Sequence, residues 1–95
     1  MKRPYELQNF LQKLDEWGDW EDADTDLRIA VLDWMFRVRE DPYSSARRET
    51  NFPNLWFARI PGTARDWEVV VCSYWIVESE HVVRCDNFAT LNYPV

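Results

Sequence analysis

Near Asn54 the apolar residues of this chain stop recurring at helical spacing and begin to run as strands do, and that switch constrains the fold more than any other feature. Before it, Leu7, Phe10, Leu11, Leu14 and Trp17 fall at i, i+3, i+4, i+7 and i+10, one stripe of an amphipathic helix. The spacing predicts a helix over residues 5–17, with Pro4 in its first turn and Gly18 ending it in the left-handed conformation. A second helix is expected from Asp24 or Thr25, as N-cap, to about Arg39. Its residues Leu27, Val31, Trp34, Met35 and Val38 form one face, and Ile29, Leu32 and Phe36 form another. Such a helix is expected to be covered on two sides, by the first helix and by a sheet. Asp41-Pro42 stops it, because proline disfavours helical geometry in the residue before it.

Residues 41–53 read as a polar loop or short helical turn. After them, residues 54–60 (NLWFARI), 67–77 (WEVVVCSYWIV) and 81–89 (HVVRCDNFA) are rich in Val, Ile, Trp, Tyr and Phe and are bounded by turn residues, the pattern of three antiparallel strands. Pro61-Gly62 suits the centre of a type II turn. The short link at Glu78-Ser79-Glu80 forces a hairpin, and a two-residue loop there would set Cys72 opposite Cys85. The expected architecture is a single α+β domain over residues 1–95, two N-terminal helices packed on a three- to four-stranded antiparallel sheet. At 95 residues there is no room for a second domain, while 46% hydrophobic and 16% aromatic residues supply enough apolar surface for a core.

Composition also removes whole classes of function. With two glycines, Gly18 and Gly62, the chain has no glycine-rich loop to cradle a phosphate. One histidine, His81, cannot build a multi-histidine metal site, and neither metal nor cofactor is expected. The longest apolar run, Val69 to Cys72, is far short of the ~20 residues of a membrane span. The first twenty residues lack the apolar block of a secretory leader, so a cytoplasmic location is expected. Cys72 and Cys85 are then reduced, two small core residues.

The net charge of -6 is unevenly placed. Asp15, Glu16, Asp19, Glu21, Asp22, Asp24 and Asp26 put seven acids into twelve residues without a base, whereas residues 28–65 hold seven arginines against four acids. The acidic run is either a solvated helix junction or a mimic of a phosphate row that occupies a basic channel on another protein, as phage-type inhibitors do. It lacks the loop glycine and terminal glutamate of a calcium loop.

Two helices with a "DP" stop, then strands carrying Tyr74-x-Ile76-x-Glu78 before the last hairpin, resemble the RelE/ParE toxin superfamily of prokaryotes across residues 5–93. Val71 stands where the family motif carries an arginine. The resemblance implies a toxin-type domain that binds a protein antitoxin, and a metal-independent endoribonuclease that acts on RNA or at the ribosome. For the latter, Arg59, His81, Arg84 and Tyr93 are the positional candidates, since such chemistry needs groups that neutralise phosphate and move a proton. The charge balance and the missing arginine set ribonuclease activity below partner binding in the expected function. The partner surface is expected at Trp56, Phe57, Tyr74 and Trp75, because these strands are apolar on both faces and the helices cover one. Trp17, Trp34 and Trp67 are expected in the core, Trp20 in the acidic loop, and a homodimer is compatible with the pattern.

Overall fold

A computed structural model describes residues 3–44 and 46–92. Five strands form one sheet: β1 (Glu6–Gln8), β2 (Ala46–Arg48), β3 (Leu55–Arg59), β4 (Glu68–Val77) and β5 (Val82–Asn92), in the spatial order β1-β5-β4-β3-β2. Helices α1 (Phe10–Trp20) and α2 (Thr25–Glu40) cover one face. The fold is α+β as expected, with two more strands than the three that the sequence marks clearly. Both additions are three-residue edge strands, too short to show a period. β2 pairs antiparallel to β3 inside the stretch expected as loop, while β1 pairs parallel to β5, so the sheet is mixed.

β1 also shortens the first helix. Glu6 N–H donates to the His81 carbonyl and Tyr5 N–H to the Arg39 carbonyl, so residues 5–8 satisfy their backbone against β5 and α2 instead of in a helical turn. Asn9, left-handed at φ 67°, swings the chain into α1, a conformation that asparagine tolerates better than most residues. Gly18 does not end α1. It lies inside the helix, where a Cβ would sit 2.5 Å from the Arg28 guanidinium.

α2 starts where expected. Asp24 caps it by accepting from Leu27 N–H at 2.9 Å, and the same bond, with the Arg65 pairing behind it, holds the Asp24 carboxyl below the usual carboxylate range. Val31, Trp34, Met35 and Val38 are buried, but Ile29, Leu32 and Phe36 are exposed, so α2 is covered on one side and not on two.

Phe10, Trp17, Trp34, Tyr74 and Phe88 form an aromatic cluster with ring centroids 5.9 to 6.4 Å apart, in tilted and edge-on arrangements that suit the ring quadrupoles. Trp17 Nε1–H donates to Thr90 Oγ1 at 3.0 Å and the Tyr74 hydroxyl to the Pro42 carbonyl at 2.7 Å, which pairs the polar handles of both rings. At the Pro61-Gly62 turn, Gly62 takes φ 83°, as the type II reading requires, and buried Thr63 closes it: its hydroxyl donates to the Ile60 carbonyl and accepts from Val70 N–H.

The β4–β5 hairpin departs from the expected register. Its link is a short 3-10 turn, Glu78–Glu80, followed by His81 in the left-handed region, and Val77 opposes Val82. A bulge between Ser73 and Tyr74 then shifts the ladder, so Tyr74 opposes Cys85 and Cys72 opposes Phe88. The cysteines are diagonal neighbours, free and buried, with sulfurs 3.8 Å apart, and burial pushes the Cys72 thiol well up.

Candidate partner-binding face of the sheet

Strand alternation sends every second residue of β2 to β5 away from the helices. On β3 these are Leu55, Phe57 and Arg59, on β4 Val69, Val71, Ser73, Trp75 and Val77, on β5 Val82, Arg84 and Asp86, and on β2 Arg47; Val69, Val71 and Val82 are themselves buried. The register aligns Leu55, Trp75, Arg84 and Gln8 in one row across four strands, and Arg47, Phe57 and Ser73 in the next. Within the first row Phe52 sets its edge on Trp75, centroids 6.1 Å apart, and Arg84 Nε–H donates to Gln8 Oε1 at 3.0 Å. Within the second, the Arg47 guanidinium stands 5.0 Å from the Phe57 ring centre, and the Ser73 hydroxyl donates to Asp86 at 2.9 Å. Half-buried aromatics thus alternate with cations whose charge is not matched by an ion pair on this face among the described residues.

Of the four residues expected to bind a partner, Phe57 and Trp75 lie on this face, half exposed. Trp56 points the other way, partly buried against the core, with its ring 5.0 Å from Tyr43. Tyr74 is a correction: at 0% exposure it belongs to the core and offers a partner nothing. Trp67 is another, because it is not in the core but 83% exposed. With Asp66 it forms a two-residue turn, both residues left-handed, closed by paired backbone bonds between Arg65 and Glu68.

The residues expected to act on RNA are not gathered. Arg59 opposes Val71 whereas Arg84 opposes Trp75, so the two are four positions apart along β4, about 13 Å, and two strands apart across the sheet, about 10 Å. His81 lies beyond the hairpin turn, stacked on Tyr5 at 3.9 Å with Nε2 2.7 Å from the Arg3 carbonyl oxygen. Tyr93 lies outside the described residues. Among the described residues, no group of three or more His, Cys, Asp and Glu side chains is placed to hold a metal ion.

A polar cluster that the sequence did not announce occupies the His81 end. The Tyr5 and Tyr43 hydroxyls both donate to Glu78, at 2.8 and 2.7 Å, and tie β1, the loop after α2 and the hairpin turn together. Those bonds, Tyr43's first, hold the Glu78 carboxyl below its usual range. Burial and Glu78 together push the Tyr5 phenol up to about 12, and push Tyr43 up as well. Glu78 was legible only as a motif residue, since its partners are 35 and 73 positions away.

The layers, strand order and open face together allow comparison with solved structures. A free-state structure of the E. coli toxin RelE, a variant with two arginines replaced by alanine, superimposes with a TM-score of 0.62, covering 90% of this chain and 82% of that one. The fold is that of RelE. Sequence identity is 16%, no family profile matches, and no curated protein matches in sequence. The RelE fold accounts for the helix-covered and open faces. Of the motif, Tyr74 and Ile76 lie on β4 and Glu78 opens the 3-10 turn that follows it. No helix among the described residues is long and apolar enough to cross a membrane.

Proposed function

We propose that this chain is a toxin-type domain that acts mainly by gripping a protein antitoxin across the open sheet face, in the cytoplasm, with little or no ribonuclease activity of its own. The observation that carries the reading is the partly exposed row of Leu55, Trp75 and Arg84, which neither helix covers, beside Phe57 and Arg47: rigid aromatics and arginines are the residue types that dominate binding hot spots. The spread of Arg59, Arg84 and His81 supports weak or absent catalysis, since proton transfer and phosphate stabilisation need their groups within hydrogen-bond reach of one substrate.

The test is partner capture with the product of a neighbouring gene from the native host. Trp75→Ala and Phe57→Ala should each weaken that complex by ~2 kcal/mol, about 30-fold in Kd, with little dependence on salt. Replacing Asp19, Glu21, Asp22 and Asp24 with Asn or Gln should leave it nearly unchanged. The reverse ranking would favour the acidic-inhibitor reading of residues 15–26. Against that reading, Arg28 lies 3.5 Å from Asp19 and Arg65 2.7 Å from Asp24, which interrupts any continuous row of free carboxylates. Purified protein should cleave neither free RNA nor ribosome-bound message. If it does, Arg84→Ala and Tyr93→Phe should reduce the cleavage far more than Arg28→Ala.

A further inference from the structure

The outward side of α2 is apolar where a solvated helix would be polar. Ile29, Leu32 and Phe36 recur at i, i+3 and i+7, so they form a narrow seam on the side opposite the buried Val31, Trp34, Met35 and Val38. Phe36 is 63% exposed, and Leu11 of α1, 62% exposed, lines with it a groove of about 460 Å³ walled by both helices. Four large apolar side chains standing together in water mark an interaction surface.

The charges around the seam decide what fits it. Asp26 in the first turn of α2 and Arg37 in its last are eleven residues apart, about three turns, so both stand on one flank of the seam. Arg39, also in the last turn, stands on the other flank beside the groove. None of the three has an ionic partner within 4 Å among the described residues. Acid at one end, base at the other and an apolar seam between them make this face its own complement. Turned about a two-fold axis across α2, the helix of a second copy runs antiparallel, and each Asp26 comes to the flank where the other copy's Arg37 stands, with the helix dipoles opposed. Asp33 shares that flank, one turn before Arg37 of its own helix, where the i,i+4 attraction offsets its charge. A parallel pair would set base against base at one end and acid against acid at the other. A partner of one charge sign would match one end and be repelled at the other. Exposed ion pairs are weak, so the seam supplies the affinity and the charges choose the direction.

We propose that the outward face of α2 is a self-association surface, on which two copies of this chain pair antiparallel. Ile29, Leu32 and Phe36 form the contact, Leu11 borders it, and Asp26 of each copy lies beside Arg37 of the other. The open sheet face is on the far side of the molecule and takes no part, so the two surfaces can be broken separately.

The experiment is sedimentation velocity of the full chain over a concentration series at low and physiological salt, where a monomer–dimer equilibrium is expected. Phe36→Glu and Leu32→Glu should each raise the dimer dissociation constant about 100-fold or more, because each change enters the two-fold contact twice. Both side chains are exposed, so far-ultraviolet dichroism should stay as it is. Asp26→Arg and Arg37→Asp should each weaken the dimer about tenfold, and the double variant, which restores the pairing with the signs exchanged, should recover most of the loss. If either reversal at a helix end costs helicity, Asp26→Asn and Arg37→Gln should weaken the dimer less and flatten its salt dependence. Trp75→Ala should leave the equilibrium unchanged. A chain that stays monomeric across the series, or a dimer that Phe36→Glu leaves intact, would overturn the proposal. A double reversal no better than either single one would overturn the antiparallel pairing, and the proposal with it. A monomer whose Phe36→Glu variant instead loses the complex with the neighbouring gene's product would give this face to that partner, which also overturns it.

Discussion

The two faces of the sheet are built from the same residue types and behave as different materials. Toward the helices, Tyr74, Ile76, Cys72 and Ala58 join Phe10, Trp34 and Val31 in one packed layer, and among the described residues no fully buried polar side-chain atom lacks a partner. Toward solvent, Trp75, Phe57 and Leu55 are half covered by neighbours on their own face, Phe52 and Arg47 among them. Adjacent residues of β4, Tyr74 and Trp75, thus do opposite work. The lesson is that aromatic content does not mark the core; what matters is which side of the pleat two helices occupy.

The sharpest way to break this contrast is truncation on each side. Trp34→Ala should cost about 3 to 5 kcal/mol in urea unfolding, since it removes a large ring from a packed layer. Trp75→Ala, with part of its ring already in water, should cost about 1 kcal/mol or less. Equal losses would mean that the open face is covered in solution, for instance by a second copy of the chain. A smaller effect belongs to the turn that delivers β4 to both faces. Thr63→Val should destabilise by about 1 to 3 kcal/mol, because it leaves Val70 N–H buried without an acceptor. Gly62→Ala should cost about 1 to 2 kcal/mol for the left-handed backbone alone, as the nearest atom to the new Cβ, on Ala30, is 3.8 Å away. Calorimetric midpoints measure both, and an unchanged midpoint for either would remove the locked-turn account.

The smallest expected effects concern pH and separate the covered face from the hairpin end. Tyr74 is raised by burial, whereas Tyr5 and Tyr43 are raised by burial and then by Glu78. A phenol whose folded pKa is raised favours the folded state fully below its unfolded value of about 10. That contribution is lost as pH climbs through the folded value, about 12 for Tyr5. Glu78→Gln should therefore bring the phenolate absorbance of Tyr5 and Tyr43 to lower pH and leave Tyr74 in place. Single Tyr→Phe variants assign each step, and a Tyr74 step that moves with the others would sink the separation. For Glu78 the sign reverses. Its folded pKa is depressed, so its contribution is present above the unfolded value of about 4.3 and fades as pH falls through the folded one. Solvent around the carboxylate keeps that effect small.

Much of this fold is legible from side-chain spacing. The second helix is bounded by signals within a few residues of its ends, Asp24 before it and Asp41-Pro42 after it, and both hold. The three long strands carry enough Val, Trp and Tyr to be recognised singly. The misplaced parts share one cause. β1 and β2 are three residues each, Gly18 is buried under an arginine ten positions on, and the bulge at Ser73 shifts a register that loop length alone would set differently. Each is decided by a partner distant in the chain. The candidate face was half legible: Phe57 and Trp75 follow from alternation, but nothing local tells Tyr74 from Trp75.

By itself, then, the sequence determined the order of the two helices and the three long strands, the N-cap of α2, the turn at Gly62 and the excess of acid in residues 15–26, because each depends on backbone preferences and charge within a few residues. Only the tertiary structure decided which tryptophans are buried and which acids are paired. It also joined Tyr5 and Tyr43 on Glu78, since hydrogen bonds and packing form between atoms that the fold brings together from opposite ends of the chain.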